Sequence, residues 1–250
     1  MKKLSGEFVH NYKTYSFGYA NYCLREKGDK LSEIYRAGYL PYSANPSVKN
    51  VFYMARSSRV PLKPWLFTSE NRRVARKFDG QLTRLSEPIK DFDISNENFL
   101  SFCIRYFSER HGPDIMPRAR LLAILNSGLI GKIVSYAKKD MPVAYVLECS
   151  DKKMTHFWFS FYDLKLIHQS LGMWLMLDSA RFARKHGAGY FYIGTVYSEK
   201  ALYKTAFGNL EYWDGDKWIN DLKKLKTLSR SDSKRTIDLT DVLKKEEWGL

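Results

Sequence analysis

Between residues 132 and 162 the apolar positions alternate instead of recurring every third or fourth residue. KIVSYA, PVAYVLEC and MTHFWFSFY read as three strands, joined by KKDM and SDKK. Those joints are short and polar enough for tight turns, so the pattern predicts an antiparallel meander. The period then changes. In HQSLGMWLMLDSARFARKHGAGYFYIG (residues 168–194), Met173, Met176, Leu177, Ala180 and Ala183 form a helical stripe. Leu171, Leu175 and Phe182 widen it, and Asp178, Arg181 and Lys185 oppose it. Ser170 is the expected N-cap and Gly187 the expected residue past the helix end. A short aromatic strand runs to Gly194, SEKALYKTAFG predicts a second helix, and LEYWDGDKWI predicts a hairpin turning at Asp214-Gly215.

The first half is more mixed. Residues 7–19 read as extended, and KLSEIYRAGYLP as a short helix capped by Ser32 and stopped by Gly38 and Pro41. NVFYMA and VPLKPWLF look like strands, the second sent to a sheet edge by Pro64. TSENRRVARKFDG predicts a helix with Thr68 or Ser69 as N-cap. Residues 88–95 form a connector, where the half-chain boundary is placed. SNENFLSFCIRYFSERHG predicts an amphipathic helix with Phe99, Phe102, Cys103, Tyr106 and Phe107 on one face, and PRARLLAILNSG another helix. Beyond Lys223 the chain is lysine-rich. LSRSDSKR reads as linker and DLTDVLKK as one or two helical turns.

Composition narrows the function classes. The chain has 250 residues, 44% of them hydrophobic, enough for a sizeable core. No run of about 18 apolar residues predicts a membrane span. MKKLSGEFVHNY lacks the apolar stretch of a signal peptide. Cys23, Cys103 and Cys149 are too scattered for a disulfide framework or a zinc site. A cytoplasmic protein without a metal is expected. Lys and Arg number 41 against 27 acidic residues, a net charge of +14. Such an excess suits a polyanionic partner, and nucleic acid is the first candidate. GxxxxGKS, HExxH and GxSxG are absent, so phosphate-loop, zinc-protease and serine-esterase chemistry lack support.

Two segments carry candidate chemistry. At the start of the helix near Ser170, Gly172 leaves room for close approach to first-turn N–H groups, an anion site needing no charged side chain. His168 and Gln169 precede it as further donors. On the earlier helix, Arg72 with Arg76 and Arg73 with Lys77 are i,i+4 pairs suited to a phosphate backbone.

The order of meander, loop, glycine-containing helix start, aromatic strand, second helix and hairpin resembles the GNAT acyltransferase fold. That resemblance implies a mixed α/β (α+β) class. The GNAT-like fold occupies the C-terminal half, beside a smaller N-terminal α/β half for which a GNAT-like arrangement is also open. It implies domains at residues 1–90 (with the basic helix), 91–222 (catalytic) and a lysine-rich extension at 223–250. In GNAT proteins the fourth and fifth strands splay into a cleft, and the helix start after the fourth strand holds the donor's phosphates. SEKALYKTAFG resembles the segment whose tyrosine reaches the leaving group.

More narrowly, Tyr162-Asp163, Ser170-Leu171-Gly172, the strand from Tyr190 to Gly194 and Tyr203-Lys204 resemble motifs of the arginyl-tRNA–protein transferase family and its bacterial leucyl-transferring relatives. GYLPYS, RVPL and FTSENRRVARK are similar to the family's first-half motifs, and the resemblance covers roughly residues 30 to 220. Two departures stand out. ARSSRVP replaces the family's cysteine cluster, and Asn209 stands in FGNLEYW where a proline is usual.

The resemblance implies transfer of an amino acid from aminoacyl-tRNA, a co-substrate in place of any cofactor, to the free N-terminus of a protein or peptide. For this aminolysis Tyr203 is the candidate for the leaving hydroxyl or oxyanion, and Asp163 and Glu211 are candidates for handling an amine. Gln169, Ser170, Leu171, Gly172 and Lys204, with Arg72, Arg73, Arg76 and Lys77, are the candidate donor and tRNA contacts. Trp158, Tyr190, Tyr192 and Gly194 are the candidate cleft. His156 and His168 are alternative bases, though a packed or hydrogen-bonded histidine is the expected state of each. Two rival readings are an acetyl-CoA-dependent N-acetyltransferase and a non-catalytic RNA-binding protein on the same scaffold. Trp174 is expected to crowd the loop that would hold coenzyme A.

Overall fold

The computed structural model describes residues 1–13, 16–45 and 47–232. The DLTDVLKK turns and the end of the expected linker lie outside these residues. A four-stranded sheet opens the chain, in the order β1 (Lys2–Asn11), β2 (Ser16–Leu24), β4 (Val51–Met54), β3 (Tyr39–Pro41). Between β2 and β3 lies α1 (Leu31–Arg36), whose N-cap is Lys30. Ser32, the expected cap, sits inside this helix, and its N–H donates to Asp151 Oδ2 at 2.7 Å. α1 buries Ile34 and Tyr35 completely.

The main sheet has eight strands in the order β12-β11-β5-β10-β9-β8-β7-β6. In chain order these are β5 (Ser57–Pro61), β6 (Thr83–Pro88), β7 (Lys132–Lys138), β8 (Met141–Ser150), β9 (Met154–Tyr162), β10 (Tyr190–Thr195), β11 (Glu211–Trp213) and β12 (Trp218–Ile219). The expected meander is present: β7, β8 and β9 pair antiparallel, as does the terminal hairpin of β11 and β12. β5 corrects the edge-strand expectation. It lies inside the sheet, antiparallel to both β10 and β11. Pro64 falls beyond its end and costs no ladder bond. β6 was not anticipated, because TRLSEP carries too few apolar positions to announce a strand. It is one of the two edge strands, paired among the described residues with β7 alone.

Helices cover both faces. α3 (Glu97–His111) packs Phe99 and Phe102 on Tyr145, and Phe107 on Phe159 and Phe161. α4 (Arg118–Leu125) follows it. On the opposite face, α5 (Leu171–Lys185) sets Trp174 against Tyr136. α2 (Ser69–Phe78) lies beside α5, with Phe78 near Trp174. Thr68 and Asn71 form a reciprocal capping box at its start. Asp79, at its end, accepts from Trp174 Nε1 at 2.8 Å and is paired with Arg181.

The segment before residue 90 is not confined to the small sheet. β5, β6 and α2 build the main sheet and its cover. The small sheet shares one core with it, where Leu31, Tyr35, Leu40 and Phe52 meet Cys149, Met154 and Tyr192. The expected linker after residue 222 also begins as structure. α6 (Leu222–Ser231) is capped by Asp221 and buries Leu225. Asp232 beyond it forms a bidentate pair with Arg56 at 2.8 to 3.1 Å and accepts from Ser198 N–H.

Candidate active site

The site begins where two parallel strands part. β10 pairs with β9 only at Tyr190–Met154, Phe191–Thr155 and Tyr192–His156. Gly194 then takes φ +77°, a conformation that side-chain-bearing residues rarely adopt. The bend keeps β10 with β5, where Thr195 pairs with Ser57 and the Gly194 carbonyl accepts from Ser58 Oγ at 2.9 Å. β9 stays paired with β8, through a register shift between Phe157 and Phe159 that leaves Trp158 as the extra residue. The wedge between β9 and β10 opens into a cavity of about 410 Å³. Trp158, Phe159 and Ser160 of β9 line one wall, Ile193, Gly194 and Thr195 the other, and Tyr203 and Lys204 are also exposed to it. Trp158 and Gly194, two of the candidate cleft residues, both line this cavity.

Tyr203 and Lys204 come from a 3-10 helix, Glu199–Ala206, at the place where the sequence predicts the second helix. Lys204 is 9% exposed, and its Nζ donates to the Thr195 carbonyl at 2.7 Å. Desolvation lowers its pKa to about 8. Tyr203 is half open to solvent. Desolvation by the surrounding wall, with Tyr162 adding to it and Arg110 opposing, raises its hydroxyl to about 12, so it stays protonated and can donate. His156 is 2% exposed and hydrogen-bonded through Nδ1 to the Tyr35 hydroxyl at 2.8 Å. Burial, aided by Lys204, lowers its pKa to about 3. Its Nε2 is buried without a hydrogen-bond partner, and the residue lines the cavity. A buried neutral histidine is the state foreseen. What sequence reasoning missed is that this residue lines the same cavity as Lys204. The hint was a histidine inside an otherwise apolar strand.

The helix start differs from expectation. Ser170 adopts φ 68° and ψ 34° between a 3-10 helix, Leu164–Gln169, and α5, and its hydroxyl makes no capping bond. Leu171 is buried, while Gln169 and His168 are exposed. Gly172 does admit a close neighbour, but the neighbour is Tyr162. A Cβ at Gly172 would lie 3.0 Å from the Tyr162 hydroxyl and 3.1 Å from its Cζ. Trp174 does not crowd this loop. It is 3% exposed and points beneath α5 toward Tyr136 and Phe78.

The remaining candidates divide between places. Asp163 caps the 3-10 helix, accepting from Lys165 N–H at 3.0 Å. It borders a second cavity of about 670 Å³, between α3 and the Met141–Pro142 end of β8, and does not line the first. Tyr106 lines both, and its ring lies 4.8 Å from that of Tyr162. Glu211 is engaged by Arg59 Nε at 2.7 Å. The Arg59 guanidinium stacks between Tyr190 (4.0 Å) and Trp218 (4.1 Å) and reaches the Tyr192 hydroxyl. Glu211, Tyr190 and Tyr192 therefore build an arginine-centred cluster, and the structure does not gather them around Tyr203. Asn209, one departure from the family pattern, donates to the carbonyls of Pro61 and Pro64 at 2.9 and 2.8 Å, fastening the chain after β5.

On α2, Arg73 is paired with Glu70 at 2.6 and 2.7 Å, and Arg72 donates to the Phe67 carbonyl at 2.7 Å. Arg76 is exposed and Lys77 half-buried. Among the described residues, no group of three or more His, Cys, Asp or Glu side chains could hold a metal ion. Among them, too, no helix is long and apolar enough to cross a membrane.

Parallel strands that part after a short pairing, with a helix crossing from one to the other, define a GNAT-type acyltransferase fold. The family described as "Acetyltransferase (GNAT) domain" matches residues 70–212, more than half of the chain, and the chain belongs to that family. It is also similar to the aspartate/glutamate leucyltransferase of Ruegeria pomeroyi. The two are 26% identical over 172 residues, 65% of this chain and 60% of that protein. The protein of the same name from Dinoroseobacter shibae is 40% identical over 62 residues, 24% of this chain and 22% of that one. The chain thus spans 60% or less of the length of these curated relatives. Among solved structures, FemX is 8% identical, with a TM-score of 0.43, covering 66% of this chain and 59% of that one.

Proposed function

We propose that this chain transfers an amino acid from aminoacyl-tRNA to the N-terminal amine of a protein or peptide. The observation that carries the reading is the content of the β9–β10 cavity. It presents a protonated tyrosine and a buried lysine and, among the described residues, no cysteine thiol and no carboxylate. An aminoacyl ester is already activated. The site needs no nucleophile of its own, only alignment of amine and ester and donors for the developing oxyanion and leaving ribose oxygen. Tyr203 is the donor best placed for this. A charged-tRNA donor is supported by the names of the similar leucyltransferases and by the net charge of +14. No cofactor is required.

The reading is tested by incubating a peptide panel with the protein and total charged tRNA, followed by mass spectrometry. Peptides gaining one aminoacyl residue at the N-terminus are expected, with no specific coenzyme A binding by isothermal titration. Efficient acetylation from acetyl-CoA, with no transfer from charged tRNA, would replace this function with the rival one.

A further inference from the structure

Lys204 is 9% exposed and lies at the point where β9 and β10 separate. It comes close to the Gly194 bend: a Cβ built there would stand 3.7 Å from its Nζ. One N–H is committed to the Thr195 carbonyl at 2.7 Å. In the amine form that bond orients the nitrogen and leaves its lone pair unengaged by it. A buried ammonium normally demands a carboxylate partner. The titratable groups around this cavity are Tyr53 from β4, Tyr106 and His111 from α3, His156 from β9, and Tyr203 beside Lys204; no carboxylate lines it among the described residues.

We propose that Lys204 is the base that accepts the proton of the incoming acceptor amine. This rests on the aminolysis reading above. An N-terminal amine arrives mostly as an ammonium and must lose a proton before its lone pair can attack. The other groups facing the cavity are unfit. Burial holds His156 neutral at a pKa of about 3 and lowers that of His111, and desolvation keeps the hydroxyls of Tyr53, Tyr106 and Tyr203 protonated. Lys204, near 8, is matched to an α-amine of about 7.7–8.0, so the transfer is close to thermoneutral.

The protons balance. The ammonium gives one proton to the Lys204 amine. The freed lone pair forms the C–N bond to the ester carbon, and the carbonyl π pair moves to oxygen. When that intermediate collapses, the C–O bond to ribose breaks. The second proton of the attacking nitrogen goes to the departing oxygen, and Lys204 returns its proton to water.

Lys204→Arg and Lys204→Met separate this from a charge-binding or structural part. Arginine keeps the cation but cannot deprotonate, while methionine keeps much of the length. Single-turnover transfer to an ordinary peptide at pH 7 should fall by about a hundredfold or more in both, with circular dichroism unchanged. An aminooxy-terminated peptide, whose nitrogen is already neutral at pH 7, should restore most of the rate. A wild-type rate in Lys204→Arg, or an equal loss with both acceptors, would overturn the proposal.

If neither variant folds, the wild-type pH profile decides. With acceptors of different amine pKa, a limb that stays near pH 8 supports Lys204, and a limb that moves with the acceptor overturns it. Wild-type protein that transfers nothing from any charged tRNA overturns the aminolysis reading itself. Transfer by the wild type with no dependence on Lys204 overturns only the base.

Discussion

The Tyr35 hydroxyl stands 2.8 Å from His156 Nδ1, joining α1 to β9 across 121 residues of sequence. Both side chains are buried. The bond ties the small sheet to the strand that forms one wall of the cavity. Tyr35→Phe should leave the imidazole with no partner at either nitrogen. A loss of about 1–3 kcal/mol is expected in urea unfolding, the cost of an unsatisfied buried polar group. Unchanged stability would show that the bond contributes nothing net.

His156 should also make the fold acid-sensitive. Its folded pKa of about 3 lies below the ordinary 6.5, so as pH falls the unfolded chain protonates first. This contribution to stability is intact above about pH 6.5 and is lost progressively toward pH 3. At pH 4.5 the loss amounts to about 2–3 kcal/mol. Carboxylates such as Asp79, held low chiefly by its bond from Arg181, add their own acid loss. The measurement is therefore a difference: His156→Gln should lose less stability between pH 7 and 4.5 than the wild type. Equal losses would remove His156 from the acid response.

Tyr203→Phe removes the proposed donor to the leaving oxygen. With half of the side chain exposed, folding should be little affected. Single-turnover transfer from saturating aminoacyl-tRNA should slow by about tenfold to a thousandfold, with tRNA affinity nearly unchanged. A wild-type rate in the folded variant would exclude the hydroxyl from the chemistry.

Gly172→Ala sets two effects against each other. Alanine gains about 0.8–1 kcal/mol of helix propensity. Its methyl, however, would sit 3.0 Å from the Tyr162 hydroxyl and 3.1 to 3.2 Å from two ring carbons. Overpacking of this kind costs about 1–3 kcal/mol. A lower melting temperature is expected, and Tyr162→Phe should recover little of it because the ring carbons remain. A melting temperature at or above wild type would mean that the ring moves aside freely.

If α2 holds a phosphate backbone, Arg72→Ala with Arg76→Ala should weaken tRNA binding. The slope of log affinity against log salt should fall by roughly 0.7 to 0.9 per lost contact. Arg73→Ala should matter less, because Glu70 already holds that guanidinium. An unchanged slope in the double variant would remove the helix from the interface.

What the sequence determined alone is what depends on near neighbours. Alternation over residues 132–162 marked the meander, and the stripe from Leu171 to Ala183 marked α5. Thr68-Ser69 marked the start of α2, and Asp214-Gly215 the last hairpin. Periodicity, capping and turn chemistry act within a few residues, so each of these can be read from a short window.

The tertiary structure decided what distant segments do to one another. β5 enters the sheet between β10 and β11, partners about 130 and 150 residues away. Ring packing from Tyr162 fills the space that Gly172 leaves, and Glu211 is claimed by Arg59. Lys204 illustrates the limit most clearly. Beside Tyr203 in the chain it reads as a cation for contacting the donor. Only the splaying of β9 from β10, and the walls that follow, strip it of water and of any carboxylate. Desolvation is a property of the surroundings, and a lysine's neighbours in sequence do not set it.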